Sequence, residues 1–292
     1  MISSPIAVFD SGLGGLTVAR ALRRALPAET IVYFGDTARL PYGTKSPATV
    51  YRFTRQCLRF VMGLSPKLIV LACNTASALA LDKLQDDFAV PVIGVLEPGA
   101  AAAVKVAAAN HTGRIGLIAT EATINSGAYP AAIRRLDPRL HVIGRACPLL
   151  VPLIEEGREP DDPVVQLVLA EYLQPFLELQ VSALILGCTH YPLLAPAIAH
   201  TLGGGGAAGH PVALIDSAEQ TALVVQSQLA TMHALTPPSP SRGAGGLTCY
   251  VTDQGQRFER LASRFLGQPV GQPVWVTPEM LEEETPAAGG PT

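Results

Sequence analysis

The chain has 292 residues, of which 48% are hydrophobic, 15% charged and 5% aromatic, and its formal net charge at pH 7 is −3. That length and apolar content can bury one large or two small cores, and a near-neutral balance without a long basic run excludes the usual footprint of a nucleic-acid binder. No window offers the ~20 consecutive apolar residues of a membrane span, no basic-then-apolar leader opens the chain, and five cysteines without CxxC spacing argue against a zinc site or a disulfide framework; the expectation is a cytoplasmic protein with free thiols, no membrane or nucleic-acid partner, and a small-molecule ligand.

Residues 6–10 (Ile-Ala-Val-Phe-Asp) read as an apolar strand ending in an acid, and Ser11-Gly12-Leu13-Gly14-Gly15 leads into a helix. Such a turn either brings backbone amides onto an anion at the helix N-terminus or serves only tight strand-to-helix packing. It lacks the GxGxxG spacing of a dinucleotide site. Residues 30–36 form a second strand, and Leu40-Pro41-Tyr42-Gly43-Thr44 is a stiff loop that can offer the Gly43 amide and the Tyr42 hydroxyl to a ligand. A helix over 47–63 holds Cys57 among apolar residues, where it fills core.

Leu68-Ile69-Val70-Leu71-Ala72 is an aliphatic strand, and Cys73-Asn74-Thr75 follows it at once, opening a helix of small residues. A cysteine at that helix N-terminus sits among free amides that favour a thiolate. After a strand over 90–95, Glu97-Pro98-Gly99 and an alanine-rich helix mark the crossing to a second lobe.

That lobe repeats the first. Residues 114–120 mirror 6–11, so that Thr120 answers Ser11 at an offset of 120 − 11 = 109. The aliphatic run Leu184-Ile185-Leu186-Gly187 again ends in a cysteine, Cys188, at an offset of 188 − 73 = 115. Two offsets this close point to an internal duplication. The fold expected is therefore α/β: two similar, pseudo-symmetric open lobes with mostly parallel sheets, each presenting a strand-end cysteine to the cleft between them. Lobe one takes residues 1–98 plus 211–292 and lobe two residues 99–210, with the strand at 212–217 read as the return to lobe one.

Between the repeats, Cys147 precedes a proline with no neighbouring base and reads as structural. The apolar run 148–154 ends abruptly in Glu155 and Glu156, which is either a solvated helix end or a carboxylate placed for proton transfer. Residues 163–179 form a helix, and His190 stands two positions past Cys188. His111, His141, His200, His210 and His233 have no such neighbours and belong to the surface. Composition makes the glycine run 203–206, the Pro-rich segment 236–246 and the tail from 282 loops or disordered. A strand at 247–252, a helix over 255–266 and a last strand at 274–276 complete the chain.

Asp10-Ser11-Gly12-Leu13-Gly14-Gly15, Leu40-Pro41-Tyr42-Gly43, Ala72-Cys73-Asn74-Thr75-Ala76, the segment 152–157 and Gly187-Cys188-Thr189-His190-Tyr191-Pro192 occur in this order. In these five motifs the chain resembles the glutamate racemases of the cofactor-independent aspartate/glutamate racemase group over nearly its whole length, about residues 6–280. The resemblance implies interconversion of L- and D-glutamate for peptidoglycan, without pyridoxal phosphate or metal, by a homodimer. It makes Cys73 and Cys188 the paired acid and base, with Asp10 near the first and Glu155 and His190 near the second. It implies Cys73 for D-glutamate and Cys188 for L-glutamate, and substrate contacts on Asp10, Ser11, Tyr42, Gly43, Asn74, Thr75, Thr120, Thr123, Thr189 and His190. A racemase or isomerase for aspartate, hydantoins or maleate, or a ligand-binding relative without turnover, are the alternatives.

Inverting an α-carbon explains why two thiols are needed. A proton must leave one face and another must arrive on the opposite face, which a single fixed base cannot do. A thiol with a pKa of about 8.5 serves as acid or base after modest tuning.

Overall fold

Strand β1 (Ile6–Asp10) is buried along all five residues, as a central parallel strand covered on both faces must be. The structure, a computed structural model, describes residues 3–110, 112–203, 211–238, 244–253 and 258–282. After β1 come α1 (Leu16–Ala25), β2 (Ile31–Gly35), α2 (Pro47–Met62), β3 (Leu68–Leu71), α3 (Asn74–Leu84) and β4 (Val92–Gly94). The second set is α4 (Leu96–Ala109), β5 (Arg114–Ala119), α5 (Glu121–Ser126), α6 (Ala128–Leu136), β6 (His141–Ala146), α7 (Leu150–Glu155), α8 (Pro163–Glu178), β7 (Ala183–Gly187), α9 (Ala195–Gly203) and β8 (Ala213–Asp216). The chain closes with α10 (Ser217–Thr231), β9 (Leu247–Val251), α11 (Phe258–Leu266) and β10 (Val274–Trp275).

The duplication is visible in the strand order. The first sheet runs β10-β9-β2-β1-β3-β4 and the second β6-β5-β7-β8, so β2-β1-β3-β4 and β6-β5-β7-β8 are the same arrangement. Every pairing in both is parallel. Register carries the equivalence down to single residues. Phe9 pairs with Leu71 and Ala119 with Gly187, so continuing each ladder past its end sets Ser11 beside Cys73 and Thr120 beside Cys188.

Local chemistry sets the helix starts. Ser46 Oγ accepts from the Thr49 amide ahead of Pro47, and the Asp162 side chain accepts from the Val164 amide ahead of Pro163, each pairing a cap with a proline whose missing N–H costs nothing at the first turn. Cys73 is itself the N-cap of α3, its sulfur accepting from the Ala76 amide at 3.5 Å. Thr120 caps α5 in the equivalent place through the Thr123 amide.

The strand read as the return to lobe one belongs instead to the second sheet: β8 pairs with β7 at its edge. Its three apolar residues, Ala213, Leu214 and Ile215, fit any sheet edge and do not name their partner strand. The return comes one element later, through α10, which packs on α1. There the two connections run close together, since a Cβ on Gly99 of α4 would lie 2.5 Å from Ser217 Oγ of α10. One hydrophobic cluster runs through both lobes, including Val8 and Leu22 from the first, Leu184 and Tyr191 from the second, and Val225 and Phe265 from the returning segment.

Most expected elements fall within two residues of their places. The helix expected from 255 is described from Phe258, and its first residues, like 203–206 in part, 239–243 and the tail from 283, lie outside the described residues. Cys57 is buried as core, and His141, His200 and His233 are exposed, while His111 and His210 also fall outside. Among the described residues no helix is long and apolar enough to cross a membrane, and no group of three or more His, Cys, Asp or Glu could hold a metal ion.

Candidate active site

Parallel sheets bind ligands at the carboxyl ends of their strands. Here the ends of β1 and β3 face those of β5 and β7 across one cavity of about 550 Å³. Cys73 and Cys188 both line it, with Ser11, Tyr42, Gly43, Asn74, Thr75, Thr120, Glu155, Thr189 and His190. Asp10 and Thr123 are not on the wall; both are buried just behind it.

Cys73 is 6% exposed, and Ser11 Oγ lies 3.3 Å from its sulfur. Burial and then the Asp10 carboxylate push its thiol up to about 12, against the opposing hydrogen bonds from Ser11 and the Ala76 amide. Asp10 is itself raised, by burial and in smaller part by Glu155, while the His190 charge and the amides of Gly12 and Gly15 pull the other way. One of its oxygens accepts from the Gly12 amide at 2.9 Å; Oδ1 is buried with no partner among the described residues.

Around Cys188 the arrangement is a chain. The sulfur lies 3.9 Å from His190 Nδ1, and His190 Nε2 lies 3.0 Å from Glu155 Oε1. Burial alone would depress the His190 imidazolium; hydrogen bonds and charge from Cys188 and Glu155 outweigh it and raise the group to about 10. The protonated form of His190 is therefore favoured beside Cys188. The edge of Phe265 closes the other side of the ring, with ring centroids 4.8 Å apart. The two halves of the cavity thus differ: a buried acid behind one cysteine, an imidazolium–carboxylate pair beside the other.

Hydroxyls join the lobes between the thiols. Thr75 Oγ1 from the first lobe lies 3.0 Å from Thr120 Oγ1 and 3.2 Å from Thr123 Oγ1 of the second. Tyr129 donates to Asn74 Oδ1 at 2.7 Å, which turns the Asn74 amide nitrogen elsewhere. These hydroxyls and amides can receive a carboxylate.

Two expectations change. The α3 N-terminus does not favour a thiolate at Cys73, because burial and the Asp10 carboxylate outweigh the Ser11 hydroxyl and the Ala76 amide. The Tyr42 hydroxyl donates to Asp36 Oδ2 at 2.5 Å inside the first lobe, and its ring packs against Phe9 and Phe53, so its proton is already committed within the protein. The glycine turn brings its Gly12 and Gly15 amides onto the chain's own Asp10 carboxylate, and Gly14 sits where the second lobe touches down. The cavity also takes in residues that sequence reasoning left out, including Leu40, Cys147, Pro148, Val151 and Leu261. Cys147, read as structural, stands on this wall with its sulfur bonding the Arg145 carbonyl at 3.6 Å, and burial raises its thiol to about 12. Apolar positions carry no signal that separates a cavity wall from a core.

The Asp/Glu/Hydantoin racemase family model matches residues 13–225. The chain is 47% identical over 278 residues to the glutamate racemase of Geobacter metallireducens, covering 95% of this chain and 98% of that one. Its structure is similar to that of the glutamate racemase of Francisella tularensis in complex with D-glutamate, with a TM-score of 0.85, 38% identity, and coverage of 95% and 98% of the two chains. It is also similar to the glutamate racemase of Thermus thermophilus in complex with β-chloro-D-alanine, with a TM-score of 0.81, 46% identity and coverage of 96% and 99%.

Proposed function

The chain belongs to the Asp/Glu/hydantoin racemase family, and we propose that it interconverts L-glutamate and D-glutamate by proton transfer between two cysteine thiols and the substrate Cα, without a cofactor. One observation carries this reading. Cys73 and Cys188 follow equivalent strands of two sheets with the same strand order, and both open onto one cavity.

In the proposed reaction, one sulfur as thiolate takes the α-proton, and the C–H electron pair passes into the α-carboxylate as an enolate-like charge. The opposite thiol then gives its proton to the other face. Hydroxyl and amide donors of Ser11, Asn74, Thr75 and Thr189 stabilise the charge that builds on the carboxylate, with most effect where the lobes keep water out. Cys73, held as a thiol by burial and Asp10, is the acid when L-glutamate reacts. Cys188, beside the His190–Glu155 pair, is the base in that direction, and the roles exchange for D-glutamate. Asp10 acts from behind the wall on Cys73.

Relatives named for glutamate favour it over aspartate, hydantoin or maleate substrates. Following the family resemblance, we extend the reading to a cytoplasmic homodimer that supplies D-glutamate for peptidoglycan. The direct test is chiral chromatography after incubating the purified protein with L-glutamate and no added cofactor. D-glutamate should form until the two enantiomers are equal; its absence refutes the proposal.

A further inference from the structure

Glu155 is the last residue of α7, a helix of six residues, and its side chain is 36% exposed. Its only hydrogen-bond partner among the described residues is His190 Nε2. Packing therefore does little to choose its rotamer, yet the pair needs the carboxylate at 3.0 Å. The backbone just after it turns sharply, with Gly157 at φ +88°, in the left-handed region that favours glycine. The Gly157 amide returns to Ile154 O and the Arg158 amide to Leu153 O. Beyond these, the carbonyls of Ile154 and Arg158 point toward the first lobe.

Arg264 of α11 meets them. Its Nη1 donates to Ile154 O at 2.7 Å and its Nη2 to Arg158 O at 2.6 Å, with Glu159 Oε1 3.2 Å from Nη2. A planar guanidinium bonding a carbonyl on each side of Glu155 fixes the turn as a rigid clip, which a lysine's single point charge cannot do. Placed at the end of α7, the cation also complements the partial negative charge of the helix C-terminus. One residue on, Phe265 stands edge-on to the His190 ring, and Leu261 of the same helix lines the cavity. A helix of the returning segment thus holds both members of the pair.

We propose that Arg264 is a positioning residue: by bonding the carbonyls on either side of Glu155 it fixes the turn that presents this carboxylate to His190, so that the pair beside Cys188 forms only when α11 is docked. The inference rests on the role given above to His190 and Glu155. The groups facing His190 are Cys188, Thr189, Glu155, Asp10 and Phe265. Of these, Glu155 is the one flanked by the carbonyls that Arg264 bonds.

The test compares full-length wild type with R264Q, R264K, E155Q, E155Q/R264Q and R260Q, the last removing an exposed arginine from the same helix. Two quantities are read: kcat/KM for glutamate, and the titration of the His190 ring by NMR in 15N-histidine-labelled protein. R264Q should lower kcat/KM by ~10-fold or more, as small misplacements around a reacting group do, and move the His190 titration down from about 10 toward that of E155Q. R264K should fall between wild type and R264Q, and R260Q should match wild type. On the E155Q background R264Q should cost less than ~2-fold, because the two act through one contact. A His190 titration left where wild type has it by R264Q, or the same fold-loss with and without Glu155, overturns the proposal. The NMR reading needs no turnover, so a wild type inert toward glutamate would defeat the function proposed above and leave this inference to stand or fall by itself.

Discussion

Gly14 of the first lobe lies directly under His190 of the second: a Cβ built on Gly14 would stand 2.5 Å from His190 Nδ1 and 2.2 Å from Thr189 Oγ1. Both neighbours are buried, which leaves them little room to move aside. The glycine is there to let the lobes close to this distance. Gly43 plays a similar part on the far wall, 2.8 Å from Thr120 Cβ by the same construction. Gly14→Ala should therefore lower kcat/KM by ~10²-fold, through displacement of His190 and Thr189 rather than loss of a chemical group. Steady-state kinetics check this, and wild-type values would show that the contact is slack.

Tyr42 should behave as an internal anchor. Its hydroxyl is committed to Asp36, which also accepts from Arg39 and Thr252, so the loop carrying Tyr42 and Gly43 is tied to β2 and to the segment after β9. Tyr42→Phe should cost ~1.5–3 kcal/mol of stability, the scale of a hydrogen bond to a charged group. The KM for glutamate should stay within about threefold, since no transition-state or ground-state contact is removed. Denaturant unfolding and initial rates measure both; a tenfold rise in KM would put the hydroxyl on the substrate.

Much of this site was legible in the chain because its signals are local. An aliphatic run that stops at a cysteine is a strand end wherever it occurs, and its recurrence after 115 residues exposed the duplication and the two thiols together. His190 was readable by its distance from Cys188. What was hidden depends on pairing across long separations. The edge strand 213–216 has no residue that names its neighbour, and Tyr42 gives no sign that Asp36 has taken its hydroxyl. Arg264 reaches a carbonyl 110 residues back, which no spacing rule anticipates.

The charge on His190 should leave a mark on stability. Its folded pKa of about 10 lies above the ordinary 6.5, so the stabilisation it brings is complete below pH 6.5 and is lost as pH rises through about 10. Glu155→Gln removes one cause of that rise. Its thermal unfolding midpoint should fall below that of wild type at pH 6.5, and the deficit should shrink by pH 10.5. Circular dichroism melts decide the point, and a deficit independent of pH would mean that Glu155 does not act through this cation.

Cys73 should be a sluggish nucleophile in the free protein. With its thiol at about 12, alkylation by iodoacetamide in a Cys188→Ala background should rise about tenfold per pH unit from pH 8 to 10 without a plateau. Adding Asp10→Asn removes a negative charge that raises the thiol, so wherever Asp10 is ionised the rate at a given pH should increase. Mass spectrometry of the Cys73 peptide follows both rates. A plateau below pH 9, or slower labelling in the Asp10 variant, would contradict the burial and charge argument.

The central claim is that two thiols serve opposite faces of one carbon, and hydrogen exchange in deuterated water tests it most directly. Starting from protiated L-glutamate and sampling at a few per cent conversion, the D-glutamate formed should carry solvent deuterium at Cα, delivered by Cys73, while the remaining L-glutamate stays protiated because Cys188 keeps the proton it removed. Deuterium building up in unreacted L-glutamate as fast as D-glutamate appears would place both transfers on one solvent-exchanging base and contradict the account.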